Sequence, residues 1–142
     1  MKIMQFDEIK EVSNKLDNKL AQLEMLECKL NTTTSIVKNG EHDIESKKAK
    51  QEIILLKIAE LSKVIDGLVA KYNLLYKECS EILNENKYKF TILEKNVVEY
   101  YYLDNLDWNE VKNIMKISKG HVWRLHRQIR KKIEREGKNE VA

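Results

Sequence analysis

The chain has no proline and only four glycines in 142 residues. These are the residues that interrupt helices, so their scarcity favours long unbroken helices over sheet or irregular structure. No run of 18 apolar residues occurs, and no membrane span is expected. The opening MKIMQFDEIKE carries acids where a signal peptide needs an apolar core, which predicts a cytoplasmic protein. Cysteine is nearly absent as well. Cys28 and Cys79 stand far apart, without CxxC or Cys/His spacing, and are expected as reduced thiols on apolar helix faces. No metal or cofactor is expected. Arginine is missing from the first 123 residues; Arg124, Arg127, Arg130 and Arg135 are the whole complement.

What is present is charge, 35% of the residues, unevenly placed. Residues 1–40 carry six lysines against six acids, net zero, and residues 41–105 carry ten against twelve, net −2. Residues 106–142 carry six lysines and four arginines against five acids, net +5. A positive field confined to the last quarter points to a polyanion partner there.

The apolar pattern divides the chain into an N-terminal part, 1–86, and a C-terminal part, 87–142. Ile9, Val12, Leu16, Leu20, Leu23, Leu26 and Leu30 recur at threes and fours, one stripe on a first helix from about Ile3 to Leu30. Asn31–Ser46 breaks the pattern and reads as a loop. Ile54, Ile58, Leu61, Ile65, Leu68, Tyr72, Leu75, Cys79 and Ile82 then step by four and three alternately, a heptad seam on a helix from about Lys47 to Glu85. Two such helices fold back as an antiparallel hairpin or set their seams against a second chain. The excess length of the second helix favours a homo-oligomer through these helices, a dimer first. A further helix is expected from about Tyr88 to Leu103, with Leu93, Val97, Tyr100 and Leu103 on one face and Asp104-Asn105 at its end.

The C-terminal part has the form of a helix-turn-helix. In LDWNEV, Leu106–Val111, Asp107 and Glu110 are spaced as a capping box, ahead of a short helix Trp108–Met115. Ser118 caps a second helix from Lys119 to about Glu134. Val111, Met115, Ile117, Val122 and Leu125 fall where two such helices lock together. Val122, Leu125, Ile129 and Ile133 form the inner face of the last helix, and Gly120, Arg124, Arg127 and Lys131 the outer. Guanidinium pairs bidentately with guanine or phosphate, which lysine does poorly. The expected base-facing residues are Lys119, Gly120, His121, Arg124 and Arg127; those expected on phosphate are Lys116, Ser118, Arg130 and Lys131. His126 is expected as a structural histidine, and Tyr100, Tyr101 and Tyr102 as packing residues. No catalytic arrangement is found, so no enzyme is expected.

The stretch LDNLDWNEVKNIMKISKGHVWRLHRQIRKKI, Leu103–Ile133, resembles region four of bacterial sigma factors. It is more similar still to the phage-encoded sigma-region-four-like regulators of late genes in low-GC Gram-positive bacteria (RinA/ArpU-type and relatives). The likeness covers roughly Leu93–Ile133 and departs at Lys116, where the turn usually has glycine, and at Lys112, where a small residue is usual. It implies an all-α protein: an N-terminal helical hairpin or coiled coil, then a tri-helical helix-turn-helix domain binding double-stranded DNA in transcription control inside a bacterial host cell. It also implies RNA polymerase as a second partner. Two other readings stay open: a DNA-packaging factor resembling a small terminase subunit, and a coiled-coil interaction protein acting on host polymerase without specific DNA reading.

Overall fold

A computed structural model describes residues 3–37 and 44–141. Among the described residues there are helices and no strand: α1 (Ile3–Val37), α2 (Ile44–Glu85), α3 (Ile92–Val98), α4 (Trp108–Met115) and α5 (Lys119–Val141). None of the described helices is long and apolar enough to cross a membrane.

The loop expected at Asn31–Ser46 is shorter than its polarity suggested. α1 continues through the threonines to Val37, and α2 starts at Ile44. Thr32 shows how a hydroxyl is accommodated in a helix, donating to the Cys28 carbonyl one turn back at 2.9 Å. Asn39-Gly40 lies outside the described residues.

The chain divides into two compact units, and the division is not the expected one at 86/87. The first unit joins Met1–Asn14 to Lys71–Ala142; the second is Lys15–Ala70. The reason is apolar: Phe6, Ile9 and Val12 at the start of α1 are buried in the same core as Leu75 and Cys79 of α2, Val97 and Val98 of α3, Val111 of α4, and Val122 and Ile129 of α5. The start of α1 and the end of α2 therefore belong to one unit with α3, α4 and α5, not to a separate hairpin.

Within the first unit, Asn86 ends α2 in the left-handed conformation (φ 51°), and its side chain brackets Phe90 by accepting from its amide and donating to its carbonyl. Tyr88 and Phe90 are buried before α3 begins. α3 thus starts at Ile92, not Tyr88, behind a full reciprocal capping box: Thr91 Oγ1 accepts from the Glu94 amide while Glu94 accepts from the Thr91 amide. From Glu99 to Leu103 the helix widens to a π-turn, closed by the Asp104 amide on the Glu99 carbonyl at 2.9 Å. Val97 and Val98 are buried ahead of that turn, and with its one added residue Tyr102 and Leu103 are buried after it. Leu93 is exposed and Tyr100 only half-buried, against the expected face. Asn105 then closes the segment left-handed (φ 56°), as its place in Asp104-Asn105 suggested.

The second unit is an antiparallel pair of helix segments, with residues 28–32 of α1 beside residues 50–54 of α2. Its expected seam is visible but thinly covered. Leu16, Leu23, Leu26, Leu30, Ile54, Ile58, Leu61 and Leu68 are all half-buried, and only Ile65 falls below a tenth exposed. Leu20 is 45% exposed, because the alternating three-and-four step passes through Lys19 instead. Cys28 is exposed, not on the apolar face; Cys79 is buried, and that burial lifts its thiol pKa to about 12.

Candidate nucleic-acid interface

α4 begins where Asp107 Oδ1 accepts from the Glu110 amide at 2.8 Å. It ends at Lys116, whose φ of 56° and ψ of 43° put a lysine in the left-handed region. This is the geometry a glycine usually supplies, and a side chain there costs about 1 kcal/mol. Ser118 Oγ then accepts from the His121 amide at 3.1 Å and starts α5. Two helices separated by Lys116–Ser118 result. Val111, Val122 and Leu125 are buried between them, with Met115 and Ile117 half-buried at the edge.

The expected outer face of α5 is open to solvent. Lys119, Gly120, Arg124, Arg127 and Lys131 are exposed, as are Lys116 and Ser118 before it, and His121 is half-buried. Nothing lies within 4 Å of the place a side chain would occupy at Gly120. Opposite this face, Val122, Leu125, Ile129 and Ile133 are buried. The helix is therefore anchored along one side and presents cations along the other.

Arg130 departs from the expected set. Its guanidinium donates to Asp7 Oδ1 at 3.0 Å and to Tyr102 Oη at 3.4 Å, which ties α5 to the start of α1. Burial would lower its pKa, but the nearby Tyr102 and Asp7 raise it on balance. A guanidinium so engaged already has two partners within the protein, which sets Arg130 apart from the residues expected on phosphate.

Beneath that ion pair sits His126. Its Nε2 lies 2.8 Å from Tyr102 Oη and 3.4 Å from Arg130 Nε. Burial, with the Arg130 charge beside it, lowers the imidazole pKa to about 4, so His126 is neutral and structural. Burial raises the Tyr102 phenol to about 12.

Aromatic rings back the same flank. Tyr101 stacks on Trp108 with centroids 3.7 Å apart, and Trp108 lies 5.4 Å from Trp123, which is 44% exposed. On the far side of Tyr101 the Lys10 ammonium sits 3.8 Å from the ring centroid. Lys10 also donates to the Tyr101 carbonyl, Asn105 Oδ1 and the Leu106 carbonyl at 2.9–3.3 Å. Burial lowers its pKa despite the nearby Asp107 and Glu110. Asn14 accepts from Asn105 at 2.8 Å. Asp7, Lys10 and Asn14, spaced by three and four on α1, thus hold α5 itself through Arg130 and the segment 101–106 ahead of α4. Their spacing was readable beforehand; their destination was not, since nothing local names a partner some ninety residues away.

A second support was equally missed. Glu94 is fully buried, its carboxylate paired with Lys132 of α5. Burial alone would raise its pKa, but the hydrogen bonds from Lys132 and Thr91 prevail and hold it low. Lys132 also donates to the Lys89 carbonyl at 3.2 Å. The Thr-x-x-Glu spacing could have revealed the capping half of this arrangement.

No protein-family model, no curated protein and no solved structure matches the chain.

Proposed function

We propose that the chain is a sequence-specific double-stranded DNA-binding regulator of transcription, encoded by a phage or prophage. The outer face of α5 enters the major groove. In this reading Lys119, His121, Arg124 and Arg127 face base edges, Gly120 lets the backbone approach, and Lys116, Ser118 and Lys131 meet phosphate. The observation that carries it is the two-sided character of α5. A row of buried aliphatics anchors the helix, while Arg124, Arg127, Lys119 and Lys131 stand exposed and make no ion pair with a described residue. Aligned cations without ion-pair partners among the described residues fit an external polyanion, and guanidinium fits base edges. RNA polymerase as a second partner belongs to the same proposal and rests on the sequence resemblance alone.

The test is duplex binding. The full chain is titrated against genomic fragments selected by binding to it, and against scrambled duplexes, at several salt concentrations. Three to five phosphate contacts give a log–log salt slope of about −2.7 to −4.5. Arg124→Ala is expected to cost about 1–3 kcal/mol on the preferred site and to relax its preference at one or two base pairs. Equal losses on preferred and scrambled DNA would remove Arg124 from base reading. Absence of salt-dependent binding to any duplex would end the proposal.

A further inference from the structure

The second unit poses a separate problem, independent of DNA. A two-helix layer cannot bury its own seam, and here the large apolar side chains extend beyond it. Labelling the seam a and d, with Ile54 and Leu61 at d and Leu16 and Leu23 at a, places Leu20 of α1 and Leu55 and Val69 of α2 at e. They are 45%, 51% and 39% exposed. In an antiparallel pair the e positions of both helices share one face and the g positions the other. The structure bears this out on the g side, where Lys29 and Lys50, both at g, line one groove of about 440 Å³ with Ile53 and Ile54 in it.

The two faces carry opposite charge. Beside the exposed e-face leucines stand Asp17, Glu24 and Glu27 of α1 and Glu52 and Asp66 of α2, all exposed, with Lys48 the one lysine at an e position among described residues. On the groove side stand Lys15, Lys29, Lys50 and Lys57, with Ile53 and Val64 exposed between them; Glu60 is the one acid there among described residues. Nothing in the periodicity of the seam requires this sorting of lysines from acids.

We propose that this unit assembles with a second copy of the chain, acidic apolar face onto lysine-rimmed groove. The two faces are complementary: exposed Leu20, Leu55 and Val69 suit an apolar groove, and the carboxylates beside them suit its lysine rim at Lys50 and Lys57. Joining two identical faces would set acid against acid or lysine against lysine, so a twofold dimer through either face is disfavoured. The contact is head-to-tail, and it propagates to a closed ring or an open stack. This differs from the symmetric dimer that the heptad seam first suggests.

The experiment uses the full chain and sedimentation in the micromolar range. One variant reverses the groove rim, Lys50→Glu with Lys57→Glu; the other reverses the acidic face, Glu24→Lys with Glu27→Lys. Wild type is expected to exceed the monomer mass, and to do so less as salt rises. Each variant alone should associate at least about tenfold more weakly, a change of roughly 1.4 kcal/mol. An equimolar mixture should recover association, because the reversed face of each is complementary to the reversed face of the other. A monomeric wild type overturns the proposal. So does a variant that still dimerises alone, or a mixture that stays dissociated. Should a charge variant lose helicity, Leu55→Ser with Val69→Ser decides instead, and unchanged association overturns the proposal.

Discussion

The two units are built from the same two long helices, yet only one of them has a core. In the first, Phe6, Ile9 and Val12 of α1 share a core with residues of the other helices and reach near-complete burial, Phe6 with its ring 5.9 Å from that of Tyr102. In the second, the same helices continue with the same three-and-four spacing, and their leucines stop at half-burial. Equal periodicity therefore does not produce equal burial. What differs is the number of neighbouring elements, since a side chain is removed from water only when it is surrounded on more than one side. The tertiary supports also fall on one side of that comparison. The buried Glu94–Lys132 pair, the Arg130–Asp7 pair and the Lys10 clamp all belong to the first unit.

The sharpest way to break the comparison is to place the same charge in each unit. Ile9→Asp puts a carboxylate at a site with no exposure, and a loss of more than about 4 kcal/mol is expected. Leu23→Asp, half-buried in the second unit, should cost less than half as much by urea titration of dilute protein. Equal costs would mean that the second unit has a core after all.

Glu94→Gln comes next. It leaves Lys132 without its buried counter-charge and weakens the Thr91 capping box, so a loss of about 3 kcal/mol is expected in the same titration. A loss under about 1 kcal/mol would show that Lys132 turns to solvent without penalty.

His126 gives the pH dependence. Its folded pKa, about 4, lies below the ordinary 6.5, so the unfolded chain binds the proton first as pH falls. The associated stability is fully present above pH 6.5 and is lost between there and pH 4, up to about 3 kcal/mol. His126→Gln should flatten that slope while Cys79 and Tyr102, with pKa values near 12, contribute nothing in this range. A slope that survives the substitution would assign it elsewhere.

The smallest effect has the opposite sign. Lys116→Gly relieves the left-handed lysine and should stabilise the first unit by about 1 kcal/mol. On the proposed function it should also weaken duplex binding modestly through the lost cation. Destabilisation on substitution would mean that the lysine chain packs in a way that its exposed position does not suggest.

Much of the first unit was legible residue by residue. Asp107 and Ser118 cap where their spacing says, and Asn105 and Lys116 turn left-handed where helix ends demand it. Val122, Leu125, Ile129 and Ile133 share the inner face of α5 as their steps of three and four require. These features are set by neighbours a few positions away. The division of the chain was not legible, because Phe6, Ile9 and Val12 carry the same stripe as the leucines that follow. Nor was the engagement of Arg130, which depends on Asp7 123 positions earlier. Of the expected face of α3 and the turn after it, Val97 and Leu103 are buried as their spacing requires; Leu93 is exposed in the first turn, and Tyr100 is displaced because the extra residue in Glu99–Leu103 shifts the phase there.

That π-turn makes the tyrosine triplet unlike the rest of the helical chain. Removing one residue from an ordinary helix turns everything beyond it by about 100° and carries the apolar face into water. Within Glu99–Leu103 the helix already holds one residue beyond the regular step, and losing it restores the common geometry. The segment just ahead of the α4–α5 pair is therefore a place where chain length can change by one while both neighbouring helices remain helical. Such a change would alter the angle at which the pair is presented, leaving its own side chains as they were.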